Sequence, residues 1–136
     1  MVLEMEVKMD FVKMQGLGND FIIIDDRDEE LSYEYEKIAV NICDRKFGVG
    51  ADGLIIINNS QKADYKMLII NQDGSSANMC GNAIRCLSRY LIVENLINSS
   101  TIEIETLSGI KKTYILDNGL VRVNMGKPSY FFILIT

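Results

Sequence analysis

Two rhythms of apolar and polar positions divide this chain. The first is the short β-prone run bounded by turn residues. Residues 11–14, 21–25, 54–57 and 65–71 read as strands of this kind, and so do residues 102–106, 110–116 and 120–125. The second is the helical stripe. Leu31, Tyr35, Ile38 and Ile42 recur at i, i+4, i+7 and i+11, so they share one face of a helix that Ser32 caps and that runs to about Arg45. Cys80, Ile84, Leu87 and Leu91 define a second helix that begins near Cys80, with Ala83 and Tyr90 beside the stripe. Asn98-Ser99-Ser100 is expected to break it.

Turns punctuate these elements. Gly16-Leu17-Gly18-Asn19-Asp20 reads as a tight turn between the first two strands. Phe47-Gly48-Val49-Gly50-Ala51-Asp52-Gly53 is a glycine-rich lead into a buried strand. Asp73-Gly74 closes the fourth strand, and Asp117-Asn118-Gly119 predicts a hairpin between the last two. No repeat or low-complexity segment interrupts the order of strands, helix, strands, helix, strands. That order predicts an α+β, mixed-sheet domain built around few helices, and not a doubly wound nucleotide fold. Residues 1–8 read as an N-terminal extension, residues 9–126 as one domain, and residues 127–136 as the truncated start of a second domain or an aberrant tail. The tail from Tyr130 to Ile135 is apolar, β-prone and uncharged, which predicts an aggregation-prone end.

Composition narrows the chemistry. Nearly half of the residues are apolar and a quarter are charged, a globular balance. The net charge of -5, with scattered cations, argues against a nucleic-acid or anionic-membrane partner. No apolar run approaches the ~20 residues that cross a bilayer, and no leader pattern opens the chain. A cytoplasmic location is therefore expected. The sequence contains no His, which excludes His-based metal sites, Ser/His triads and Cys/His dyads. Its three dispersed cysteines make neither a disulfide framework nor a Cys-only metal site. Proton chemistry at neutral pH falls to Cys, Asp, Glu, Lys or Tyr.

Cys80 is the candidate that location favours, although a lone cysteine is often only a small buried hydrophobe. It stands at the mouth of the second helix, directly before Gly81. Helix starts carry unpaired N–H groups and partial positive charge. A thiolate there is favoured below the free value of roughly 8.5. A substrate carboxylate can settle on the same N–H groups, with Gly81 permitting close approach. A thiol beside a bound carboxylate suits removal of the proton α to it. Cys43 falls late in its helix, the wrong end for this effect. Cys86 lies about 9 Å further along the axis and is turned by about 240°, so it cannot flank the same carbon. Asn19 and Asn71, at strand–turn junctions, are either turn-formers or amide clamps for a zwitterion. Arg85, opposite the apolar stripe, reads as solvated or salt-bridged. The Gly16–Asp20 loop lacks the lysine and hydroxyl residue of a phosphate loop.

Four motifs carry a family resemblance. Lys13-Met14-Gln15-Gly16-Leu17-Gly18-Asn19-Asp20-Phe21 resembles the opening motif of diaminopimelate epimerases. Asp44-Arg45-Lys46-Phe47-Gly48-Val49-Gly50-Ala51-Asp52-Gly53 is similar to their second motif. Residues 71–86 resemble the active-site motif, and residues 121–128 the closing strand of the first domain. The resemblance covers about residues 9–128, with the motifs in the family's order. It implies two domains, each a mixed sheet curled around a central helix, with the substrate in the cleft between them. It further implies stereoinversion of LL- to meso-diaminopimelate, a precursor of lysine and of the cell wall, with no pyridoxal phosphate or metal. One thiolate takes the α-proton and a thiol on the opposite face returns one.

On this mapping Cys80 is one of the two thiols, Gly81 and Asn82 hold the substrate at the helix start, and Asn19 and Asn71 bind its polar groups. Gln15 stands where His is frequent, and Ala83 where glycine is usual, which is expected to crowd the helix start. The partner cysteine, the second domain's ligands and the returning strand are not in the sequence, so a fragment inactive by itself is expected. The expected partner is a small amino acid, and a homodimer is left open. Two alternatives remain: a racemase of another amino acid on this scaffold, and a non-catalytic binding remnant.

Overall fold

The computed structural model describes residues 9–124 apart from Leu17, Tyr33 and Met79. The proposed extension at residues 1–8, the end of the last expected strand and the apolar tail lie outside the described residues. The elements are β1 (Val12–Gly16), β2 (Asn19–Asp25), α1 (Tyr35–Ile42), β3 (Gly53–Asn58), β4 (Tyr65–Asn71), β5 (Ser76–Ala77), α2 (Gly81–Val93), β6 (Thr101–Thr106), β7 (Gly109–Ile115) and β8 (Val121–Val123). All the described strands join one mixed sheet in the order β1-β2-β3-β4-β6-β7-β8, with β5 paired to β4. Neighbours are antiparallel except at β2–β3 and β4–β6, which are parallel. Each parallel pair is joined by a crossover that contains a helix.

The two helices cover opposite faces of the sheet, and this explains the composition of its central strands. Ile22, Ile24, Leu54 and Ile56 pack with Ala39 and Cys43 on the α1 side. Phe21, Ile23, Ile55 and Ile57 pack with Ile84, Leu87 and Leu91 on the α2 side. Alternation along each strand sends neighbours to opposite faces, so a strand buried on both faces is apolar at successive positions. β3 is buried along its whole length. In β6 only one face is covered: Ile102 and Ile104 are buried and Glu103 is exposed.

The sheet curls around α2. This helix touches β1 and β2 at one end of the strand order and β7 and β8 at the other. Laid flat, seven neighbouring strands would place β1 and β8 about 29 Å apart. A helix about 10–12 Å across could not touch both. The curled mixed sheet expected from the family resemblance is therefore the observed architecture. Within it, Ser88 on α2 is a buried polar residue whose hydroxyl lies 3.1 Å from that of Thr113 on β7.

Three sequence expectations shift. Ser32 is not the cap of α1. Glu34 holds that position without a side-chain bond, and its N–H closes a turn onto Leu31 O at 2.9 Å. Buried Asp26 takes over the anchoring: it accepts from Leu31 N–H and from the Tyr35 hydroxyl. α1 also stops at Ile42, short of Arg45. The glycine-rich loop folds back there and claims the helix's last carbonyls. Val49 and Gly50 donate to Ile42 O, and Ala51 donates to Cys43 O. α2 ends at Val93, ahead of the Asn98-Ser99-Ser100 break. Asn95 adopts the left-handed conformation at φ 55°, with Leu96 N–H on Leu91 O and Asn95 N–H on Ile92 O. The two-residue strand β5 was not foreseen; it is too short to show a period.

Candidate active site

The register gathers the polar candidates at one end of the sheet. Gly16 pairs with Asn19, Phe21 with Gly53, and Gly53 with Asn71. The β1–β2 turn, the start of β3 and the end of β4 are thus side by side. The start of α2 reaches the same end. A Cβ at Gly16 would meet Cys86 Sγ at 3.1 Å and Asn82 O at 3.3 Å. A side chain there would require the helix or the strand to give by a few tenths of an ångström.

Cys80 is the residue just before α2, with extended backbone at φ -145° and ψ 118° and no side-chain capping bond. The first turn of the helix carries no acidic residue. The first helical bond runs from Ile84 N–H to Cys80 O, so the N–H groups of Gly81, Asn82 and Ala83 precede the ladder. Cys80 is partly buried and packs on the edge of the α2-side core. Ala83 is wholly buried, so its methyl group fills the core.

The other two thiols are sequestered. Cys43 is fully buried on the α1 side, and desolvation, with the Asp20 charge, pushes it up to about 11. Cys86 is buried on the α2 side, and burial first, then the nearby Cys80, raises it. All three cysteines are free. Among the described residues, no group of three or more His, Cys, Asp or Glu side chains could hold a metal ion.

Asn19 and Asn82 are brought into direct contact, with Asn82 Nδ2 donating to Asn19 Oδ1 at 2.7 Å. Asn71 stays on the far side of β3. Its Nδ2 donates to Ser75 Oγ at 3.1 Å, and its carbonyl closes the turn from Gly74 N–H. Asp73-Gly74 is a turn as expected, with Gly74 at φ 90°.

A charged frame surrounds the asparagine pair. Asn19 Nδ2 donates to Asp52 Oδ2 at 3.2 Å, and Asp20 N–H donates to the same oxygen at 3.1 Å. Arg45 donates from both terminal nitrogens to Asp20 and from Nη2 to Asp52. Lys13 completes the group at 3.3 Å from Asp20. Arg45, the Asp52 backbone N–H and Lys13 hold the Asp20 carboxyl well below the usual carboxylate range, against the opposing effect of burial. At the other end Arg85 donates to Asn82 Oδ1 at 3.0 Å. Arg85 is therefore not merely solvated or salt-bridged. Reading the residues one by one did not give Asp20, Arg45, Asp52 or Arg85 a part here. All four lie inside the family motifs: Asp20 in the first, Arg45 and Asp52 in the second, and Arg85 in the third.

A family model for diaminopimelate epimerase matches residues 11–131. The chain belongs to the diaminopimelate epimerase family. Within that family, the diaminopimelate epimerase of Carboxydothermus hydrogenoformans is 50% identical over 122 residues, a match covering 88% of this chain and 44% of that protein. The one from Pelotomaculum thermopropionicum is 48% identical over 125 residues, with 88% and 45% covered. The chain thus spans less than half the length of these relatives. Among solved structures, a hydroxyproline epimerase from Agrobacterium vitis has a similar fold, with a TM-score of 0.63 at 12% identity, over 85% of this chain and 40% of that one. Family and curled fold are thus as the four motifs implied.

Proposed function

We propose that this chain supplies one catalytic half of a cofactor-independent diaminopimelate epimerase that interconverts the LL and meso isomers. One observation carries the reading: in a chain of this family, Cys80 stands partly exposed at the start of α2, beside a bonded Asn19–Asn82 pair. The substrate's reacting carboxylate accepts from the Gly81 and Asn82 backbone N–H groups, where the helix start favours negative charge. Asn19 and Asn71 bind its remaining polar groups. Cys80 as thiolate removes the α-proton, or as thiol returns one, on one face of the planar carbanion.

Stereoinversion needs a second acid–base group on the opposite face. Cys43 and Cys86 are buried on opposite sides of the sheet, so neither can provide it. A second domain brings the other thiol and excludes water from the cleft.

A chimera tests this. This chain replaces the first domain of the Carboxydothermus hydrogenoformans relative, and conversion of LL- to meso-diaminopimelate is followed. The chimera is expected to be active, and Cys80→Ala to abolish turnover. The chain by itself is expected to give no meso isomer. A folded chimera without activity, or one indifferent to Cys80→Ala, refutes the reading.

A further inference from the structure

The Asn19–Asn82 pair lies inside a polarised relay. Four side chains form the series Arg85, Asn82, Asn19, Asp52, each donating to the next, at 3.0, 2.7 and 3.2 Å. The two ends have fixed character. A guanidinium can only donate and a carboxylate can only accept. An amide can do either, so an isolated asparagine pair could be flipped as a unit. Here it cannot be. Arg85 requires an oxygen from Asn82, and Asp52 requires a nitrogen from Asn19. With both outer contacts set, the inner bond must run from Asn82 Nδ2 to Asn19 Oδ1.

This orientation decides what the pair offers a ligand. Each carboxamide nitrogen has two N–H groups and spends one within the relay. Among the described residues no side chain takes the other. Both amide oxygens are already engaged, one by a cation. The pair therefore presents donors, which suits acceptor groups.

We propose that Asp52 and Arg85 are positioning residues that lock the Asn19 and Asn82 side chains in a donor-presenting orientation, toward acceptor groups of the substrate other than the carboxylate held by the helix start. The proposal rests on the reading of the site given above. Arg45 and Asp20 support it by holding Asp52 in place, since Arg45 bridges both carboxylates. This gives the charges of the second motif a function: the glycine-rich loop delivers Asp52 to the far side of Asn19.

Nitrogen-15 spectra of this chain separate the relay from the ligand site. Without ligand, Asp52→Asn should move the side-chain amide signals of both Asn19 and Asn82, although Asp52 touches only the first. Their exchange with solvent should rise by about tenfold. Backbone signals of α2 should stay put, which loss of structure would not allow. Arg85→Gln, whose amide can present either an oxygen or a nitrogen, should produce the same effect from the other end, and Arg85→Lys, which keeps a cation that can only donate, should restore most of it. Should Asp52→Asn fail to fold, Arg85→Gln carries the test, because Arg85 makes no ion pair among the described residues. An Asn82 side-chain signal that ignores both substitutions overturns the relay.

Titration with LL-diaminopimelate is the second arm. The wild-type signals of Asn19, Gly81 and Asn82 should shift, and Asp52→Asn should weaken binding by about tenfold. If the relay responds to mutation but the wild-type chain shows no ligand shift, the proposed substrate site fails while the relay stands. If the ligand binds equally well to Asp52→Asn, the site stands and the positioning role fails.

Discussion

Three free thiols of one chain differ in burial and in place. Cys80 is partly exposed at a helix start, whereas Cys43 and Cys86 are buried and their ionisation is disfavoured by burial. The thiolate is the form that alkylates. Iodoacetamide at pH 8, followed by peptide mapping, should therefore label Cys80 well before the other two. In denaturant all three should label together. Equal labelling in the folded chain would remove the argument from position. The same scale explains the asparagines. An amide is ambiguous by chemistry, and only its charged neighbours decide which end it shows.

Between elements, close approach matters more than propensity. Gly48 lies where the glycine-rich loop turns back on α1, and a Cβ there would stand 2.2 Å from Asn41 O and 2.8 Å from Ile42 O. Backbone atoms cannot yield as a flexible side chain can. Gly48→Ala should force the loop off the helix end and cost about 1–3 kcal/mol or more, read as a lower urea midpoint. An unchanged midpoint would show that the loop is not held against α1. Gly16→Ala should act more mildly, because one of its two nearest contacts is the Cys86 sulfur. Its more telling effect should be a shift of the Asn82 side-chain amide, since β1 would be pushed away from the start of α2.

For the whole molecule, the larger cluster of buried residues lies between α2 and the curled sheet. Ile84 and Leu87 are fully buried there, and truncating either to Ala should cost about 2–5 kcal/mol. Denaturant titration would check this, and a loss below that range would mean that the curl can relax onto the cavity. Acid should weaken the same fold through Asp20, which joins β2 to Arg45 and Lys13. Its folded pKa is depressed, so ionised Asp20 contributes stability that is fully present above the unfolded value of about 3.9. That contribution is lost as pH falls below this value toward the folded one. Melting temperatures from pH 6 to pH 2 should fall less steeply for Asp20→Asn than for wild type. Parallel slopes would assign the acid sensitivity to other carboxylates.

Sequence by itself determined what local physics controls. Runs such as Phe21 to Asp25 and Leu54 to Ile57, β-branched and bounded by turn residues, read as strands, and the stripe Ile84, Leu87, Leu91 reads as one face of a helix. The absence of His left proton chemistry to Cys, Asp, Glu, Lys or Tyr, and adjacency to a helix start made Cys80 the candidate among them. Four motifs in order named the family. Tertiary structure alone decided how distant residues meet. Asn19 and Asn82 are 63 positions apart, and nothing in their flanking residues says that they touch. The parallel pairing of β2 with β3 and the curl around α2 bring them together. The ends of α1 likewise depended on partners beyond its own residues, Asp26 before it and the loop after it. Periodicity reports which face of an element is covered, whereas hydrogen-bond partners far along the chain are chosen only when the sheet closes around its helix.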